Sequence, residues 1–416
     1  MTTLTLDAAV ARRLAIERQR LAGESSQAGA QTILDLARDL RCIQVDPTNV
    51  VARTQLLVLW SRLGSYDPGL LDRLLWEDKA LFHYWAHAAS LVLTEDYPIH
   101  SFRMRRWARG DSAWSERVNA WMRANAALRR YILAELRRRG PLRSRDLEDR
   151  SSVAWDSTGW TGGRNVGRML DFLWAQGKVM IAGRSGTERM WHVADRWLPG
   201  CTPRDVLGEE RVVEHAAQIS LRCLGVATQR QITQHFIRDG YPGLTRALAR
   251  LEAKGRIVRA TVAGIGGGTQ APWYVHAEDV ETIERLRSDD WAGRTTLLSP
   301  FDNLICDRRR TEDMFGFRYR IEIYLPKSKR RYGYFAMPIL RDDRLIGRID
   351  PAFHRKSGEL VINAVHAEPD APRDRPTGEA IASAVSELAR FLGATGVRLD
   401  DDSTPEAWRR GLVRSL

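Results

Sequence analysis

The chain is poor in cysteine, has no long apolar run and is short of acidic charge, and each shortage removes a class of protein. Its four cysteines, Cys42, Cys201, Cys223 and Cys306, are scattered with no C-x-x-C pair. That spacing makes no zinc knuckle, iron–sulfur cluster or disulfide framework, so no metal and no cofactor is expected. No stretch reaches the roughly 18 apolar residues of a membrane span. The start, Met1-Thr2-Thr3-Leu4-Thr5-Leu6-Asp7, lacks a basic segment followed by an apolar one. The expectation is a soluble, reduced, cytoplasmic protein with no membrane partner. Acid is the minority charge: 52 Asp plus Glu stand against 64 Lys plus Arg, a net charge of +12 over 416 residues. Arginine far outnumbers lysine, which a compositional bias also produces, but the excess favours a polyanionic partner, nucleic acid first.

What is present is a repeat. Gly140-Pro141-Leu142-Arg143-Ser144-Arg145-Asp146-Leu147 resembles Gly225-Val226-Ala227-Thr228-Gln229-Arg230-Gln231-Ile232, each a turn, a polar cap (Ser144, Thr228) and the start of a short helix. Downstream, Met169–Val179 matches Ala247–Ile257, an amphipathic helix stopped by Gly177 or Gly255, the residue type suited to φ > 0. A β-rich pair follows each, tipped by glycine at Gly183–Gly186 and Gly264–Gly268. Helix, helix, glycine stop and hairpin outline a winged helix, and two copies in fixed order are not a chance pattern. Gly264–Gly268 lacks the Lys-Ser/Thr of a phosphate loop and reads as a flexible wing.

A third, degenerate copy is expected at the N-terminus, with helices over Leu6–Leu21, Thr32–Leu40 and Val50–Leu63. Between the last two lies Ile43-Gln44-Val45-Asp46-Pro47-Thr48-Asn49. If Cys42–Asp46 is extended, Gln44 and Asp46 share one face. Pro47 ends the strand for want of an N–H, and Thr48 or Asn49 caps the following helix. An acid and an amide side by side are able to hold a water beside a reacting carbon; two polar residues on an exposed strand give the same pattern.

Beyond Trp291 the texture turns to β, with strands expected over Arg318–Leu325, Arg331–Leu340, Arg344–Asp350 and Glu359–Val365 in a small barrel or sandwich. Glu368–Pro376 reads as a linker and Glu379–Leu392 as a terminal helix. Between Arg318 and Lys356 stand eleven Lys or Arg against four Asp or Glu. Lys327-Ser328-Lys329-Arg330-Arg331-Tyr332 sits at an expected hairpin tip, where basic and aromatic residues track phosphates and probe a groove; a lysine-guarded edge strand is the alternative. Arg318, Arg320, Lys327, Lys329, Arg330, Arg331 and Tyr332 are the DNA-contact candidates. In Leu81–Ser90, His83 and His87 would share a helical face, yet no H-E-x-x-H or third ligand accompanies them. Trp85 and His87 suit a site lining or, equally, a partly buried structural cluster. Asp302 and Asn303 form a polar loop able to reach the Gln44/Asp46 turn, or ordinary turn chemistry.

Three segments carry a family resemblance: Ile43–Arg53 with Leu59-Trp60-Ser61-Arg62-Leu63-Gly64, then Tyr84-Trp85-Ala86-His87-Ala88-Ala89-Ser90, then Ser299-Pro300-Phe301-Asp302-Asn303-Leu304 through Phe315–Tyr324 to Arg331-Tyr332-Gly333-Tyr334. Together they resemble the winged-helix crosslink-repair DNA glycosylases of the AlkZ/YcaQ type, over nearly the whole chain. The resemblance implies an α+β fold of three tandem winged helices, a small C-terminal β-barrel and a terminal helix. The boundaries expected are 1–112, with the catalytic turn, 113–203 and 204–290 for the winged helices, 291–368 for the barrel with its basic hairpin, and 369–416 for linker and helix. It further implies excision of N7-alkylguanine and unhooking of interstrand crosslinks through a Gln-apolar-Gln or Gln-apolar-Asp motif. Gln44-Val45-Asp46 matches the second form, of broader substrate range. Gln44 and Asp46 are then catalytic, Asn49 a substrate or DNA contact, the partner double-stranded DNA carrying alkylated or crosslinked guanine, and the protein a monomer. With no lysine in the motif to form a Schiff base, a monofunctional enzyme leaving an abasic site is expected. The competing reading is a non-enzymatic winged-helix regulator, which would be a symmetric dimer.

Overall fold

The computed structural model describes residues 3–24, 28–156, 164–265, 271–288, 291–400 and 404–415. The tip of the expected wing, 266–268, lies outside them. The chain forms two compact units, one of residues 72–213 and one of 1–71 with 214–416. No described helix is long and apolar enough to cross a membrane.

In the 72–213 unit, a hairpin pairs Leu81–Trp85 with Ala89–Leu93, Leu81 opposite Leu93 and Trp85 opposite Ala89. Helices Tyr97–Arg109, Ala113–Ala124 and Ala126–Arg139 follow. The strand Leu142–Arg143 then pairs with Glu188–Val193, which also pairs with Val179–Ser185, so the last strand is central. The helix Asn165–Ala175 precedes that hairpin and ends as expected, with Gly177 at φ +66°. Any Cβ there would also collide with Met104 Sδ, so the site needs glycine twice over. Ser144 does not cap a helix. It begins a 3₁₀ turn in which the Asp146 carboxylate accepts the Arg143 amide at 2.9 Å. Aromatic rings fill the core, and their polar edges are satisfied: Tyr84 donates to Ala175 O (2.7 Å) and Trp174 Nε1 to His83 O (3.0 Å).

The same order recurs further along the chain, from residue 209. Helix Glu209–Leu224, strand Val226–Thr228, helices Gln229–Gln234 and Leu244–Ala253 and strands Ile257–Val262 and Trp273–His276 follow one another. Here the polar cap is as expected: Thr228 and Gln231 form a reciprocal capping box. The start of the chain differs from expectation. Leu4–Leu6 is a strand, parallel to Ile257–Val262, and the first helix is Ala8–Arg18.

The expected C-terminal barrel is a five-stranded sheet left open. Its order is Thr295–Leu297, Met337–Arg341, Arg344–His354, Glu359–Ala367 and Gly396–Leu399, antiparallel except for the last pair, and the two edge strands do not meet. Arg318–Leu325 is no strand. Phe317 and Tyr319 are buried while Arg318 and Arg320 are exposed, so the side chains alternate, but the backbone joins no ladder. Its turn is a 3₁₀ segment, Lys327–Lys329, rather than a hairpin tip. The helix at 379–392 begins earlier, Arg375–Leu392, and is not terminal: the edge strand Gly396–Leu399 and a helix Glu406–Ser415 come after it. Gly378 and Gly411 let those two helices touch backbone to backbone, where a Cβ on Gly411 would lie 2.7 Å from Glu379 N. One core joins this sheet to the four-stranded one through Leu14, Val226, Leu298, Phe317 and Leu340.

Candidate active site

The Gln44/Asp46 segment leaves the helix Ala30–Leu40 through Arg41, which closes it in the left-handed conformation with its N–H on Ala37 O. Cys42 and Ile43 are buried in the short strand Cys42–Gln44, leaving Gln44 half-buried at its end. The strand stops two residues before the expected Asp46. Asp46 Oδ1 accepts the Thr48 amide at 2.8 Å, an Asx turn that bends the chain just after the strand, while Pro47 offers no N–H. The next helix begins late, at Thr54, and its N-cap is Arg53 without a side-chain bond. Neither Thr48 nor Asn49 caps it. Asn49 is held elsewhere: Arg355 donates to its carbonyl (2.9 Å), to its Oδ1 (2.8 Å) and to Val51 O (2.8 Å), and Phe353 N donates to Val50 O (3.0 Å).

The opposite end of the segment is fixed by the polar loop. Asn303, buried, donates from Nδ2 to Cys42 O at 2.7 Å. Asp302 does not face DNA. It is fully buried and takes a two-pronged ion pair from Arg62, Nη1 to Oδ2 at 2.7 Å and Nη2 to Oδ1 at 3.0 Å. Arg62 spends its remaining donors on Gln19 O, Gln19 Oε1, Val58 O and Ser61 Oγ. The loop thus reaches the Gln44/Asp46 turn, and it does so as scaffold. Arg355 was missed, and its only signal was membership in the basic stretch; Arg62 stood in a quoted motif with no role attached.

Held at both ends, the turn presents two polar groups. The Gln44 amide and Asp46 Oδ2 make no hydrogen bond to any described residue. A half-buried carboxylate oxygen and amide without protein partners are free to bind a water or a sugar.

In the 72–213 unit, His83 and His87 share no helix: His83 is on a strand and His87 in the turn after it, so the helical metal-site geometry does not exist. His83 is buried and stacked on Trp76 at 5.5 Å. Burial, with Arg184 and Arg189 nearby, holds its pKa down at about 3. His87 is buried too, whereas Trp85 is 42 % exposed at the hairpin tip. Arg103 pins that tip through Trp85 O (2.8 Å) and Ala86 O (3.3 Å).

The basic segment keeps its composition without its hairpin. Glu322, nearly buried, gathers the amides of Arg331 (2.8 Å), Tyr332 (2.9 Å) and Gly333 (3.3 Å) on one carboxylate oxygen. Tyr332 is not a free platform, because Arg348 lies 3.9 Å over its ring. Arg330 covers Tyr334 at 4.6 Å. Arg318, Arg320, Lys327 and Lys329 are exposed, as is Tyr324, and the exposed Arg331 lies over the Tyr332 ring at 4.9 Å.

A family model described as DNA glycosylase AlkZ-like matches residues 37–391. Among solved structures, the Streptomyces sahachiroi DNA glycosylase AlkZ is similar in fold, with a TM-score of 0.64 over 95% of this chain and 99% of that one, at 16% sequence identity.

Proposed function

Because the chain belongs to the AlkZ-like DNA glycosylase family, we propose that it is a monofunctional DNA N-glycosylase that hydrolyses the bond between N7-alkylguanine and its sugar. The observation that carries the reading is the pair of uncommitted groups, Gln44 amide and Asp46 Oδ2, on a turn anchored at both ends. N7-alkylation makes guanine cationic, so the base leaves with little acid assistance. The sugar passes through an oxocarbenium-like state, as in glycoside hydrolysis. Asp46 stabilises that cation and orients or deprotonates the attacking water, while Gln44 holds the same water or the ribose without adding charge. The product is free base and an abasic site.

A base tethered to the opposite strand cannot swing freely from the stack. The enzyme therefore brings its turn to the duplex, and crosslinks are unhooked by the same hydrolysis. We read the two helix–strand–helix–hairpin copies, with a third, degenerate one at the N-terminus, as winged helices that hold a monomer on DNA by backbone charge. The exposed Arg318, Arg320, Lys327, Lys329 and Arg331 supply part of that charge, which makes affinity steeply salt-dependent.

The test is release of base from duplex containing N7-methylguanine or a nitrogen-mustard crosslink. Asp46→Asn keeps an oxygen for the Thr48 amide but removes the charge. It should lower the single-turnover rate by at least about 10²–10³-fold, the scale of one lost electrostatic stabiliser, with DNA affinity retained. Equal rates in both proteins would remove Asp46 from the chemistry. No release by either would leave a DNA-binding protein without this activity.

A further inference from the structure

We propose that Arg355 is a positioning residue for base excision: it sets the geometry of the catalytic turn by gripping the chain three residues beyond Asp46. The inference rests on the glycosylase reading above.

Arg355 follows directly on the strand Arg344–His354 at the tip of its hairpin with Glu359–Ala367. That tip is rigid. Ser357 N and Gly358 N both donate to His354 O (3.1 and 2.8 Å), and Thr395 N donates to Gly358 O at 2.8 Å. Gly358 stands at φ +71° with no room for a Cβ, which would lie 2.9 Å from Thr395 Oγ1. From this base the guanidinium forms three hydrogen bonds to the catalytic segment, two to Asn49 and one to Val51. The bond from Phe353 N to Val50 O makes the grip a four-point one.

No carboxylate pairs with Arg355 among the described residues. Its donors go to neutral oxygens of the turn, charge-assisted bonds that are stronger than amide–amide ones. A fork serving three oxygens in fixed directions is a task for arginine, since an ammonium is a point charge. Between Asp46 and Asn49 lie only Pro47, whose φ is fixed, and Thr48, whose amide is tied to Asp46. A shift at Asn49 therefore passes to the Asp46 carboxylate, and a displacement of about 1 Å in a catalytic group costs on the order of 10²-fold in rate.

Arg355 is also exposed, so the opposing account is a plain phosphate contact. The two separate cleanly. Single-turnover excision and duplex affinity across a salt series are measured for wild type, Arg355→Ala, Arg355→Lys and Asn49→Ala, with melting temperature as the check on folding. Positioning predicts that Arg355→Ala lowers the rate at saturating enzyme by about 10–10²-fold, with affinity and salt slope as in wild type. Arg355→Lys should fail to restore the rate, and Asn49→Ala should lose part of it and combine non-additively with Arg355→Ala. A wild-type rate for Arg355→Lys, or weaker binding with a salt slope reduced by about 1 and an unchanged saturated rate, would overturn the proposal. If Arg355→Ala fails to fold, Arg355→Lys and Asn49→Ala decide it alone. Absence of excision by wild type would instead sink the glycosylase reading.

Discussion

Removing the Asp302 carboxylate should damage the fold rather than the DNA contact. Asp302 and Arg62 are both without exposed side-chain surface, and the guanidinium has every donor assigned, two of them to this carboxylate. Asp302→Ala leaves a buried cation with its counter-charge gone, which costs about 3–5 kcal/mol. It also strips the Leu304 amide of its acceptor, a bond of 2.9 Å. Against a total stability of roughly 5–15 kcal/mol, that is a large share. Asp302→Asn keeps one acceptor and should fall between Ala and wild type. The double variant Arg62→Met/Asp302→Leu removes both charges and should recover part of the loss. Full recovery is not expected, because Gln19 O and Gln19 Oε1 then lose the Arg62 donor. The assay is urea unfolding, read as a shift in midpoint at constant slope, beside duplex affinity of the folded protein. A wild-type midpoint for Asp302→Ala together with weakened DNA binding would refute the reasoning and return Asp302 to the surface.

Two further outcomes follow from burial. His83 and His100 are buried, and desolvation holds both pKa values at about 3, so the native state binds fewer protons than the unfolded one between pH 3 and 6.5. Their stabilisation is present above pH 6.5 and is lost as pH falls, by about 2 kcal/mol for each histidine between pH 7 and 5; His100→Phe should flatten the denaturation midpoint over that range, and an undiminished pH dependence would show that His100 is not the titrating group. At Gly411, alanine would normally favour the helix by about 1 kcal/mol, but here its Cβ meets Gly378 and Glu379 backbone, so Gly411→Ala should lower the melting temperature and a rise would mean that the two helices separate at no cost.

The fold was legible where its instructions are local. Gly177 and Gly255 sit at φ +66° as their places after amphipathic helices imply, and Thr228 caps with Gln231 across three residues. Legibility failed where a side chain replaced a backbone partner. The segment 317–322 alternates in burial like a strand, yet the amides that follow it go to carboxylates: Arg331, Tyr332 and Gly333 to Glu322, and Phe335 to Asp350 at 2.8 Å. Period two reports which side chains face the core and says nothing about what the backbone bonds to. His83 and His87 failed for the opposite reason. A spacing of four shares a face only on a helix, but the β-branch-poor run Leu81–Trp85 forms a strand by pairing with Ala89–Leu93, a partner that periodicity alone does not reveal. The strand Gly396–Leu399 was invisible as well, since it is short, has no buried residue and is parallel to its neighbour.

The candidate site divides along the same line. The Gln44/Asp46 turn is legible as a polar motif because it lies within three residues, and even its bend is local, an Asx turn followed by no donor at Pro47. What holds them is remote. Asn303 reaches Cys42 from 261 residues away and Arg355 reaches Asn49 across 306. An irregular segment of this kind has few backbone partners of its own, so its shape is set by whatever side chains the fold delivers to it. The residues that deliver it are an amide in a turn and an arginine at a hairpin tip, two of the commonest surface patterns, and in sequence nothing separates them from decoration. On the proposed reading, the identity of the motif is thus written locally while its geometry is written across the whole unit. Substitutions that change the rate of excision without touching DNA should therefore map to Asn303 and Arg355 as readily as to the Gln-Val-Asp motif itself.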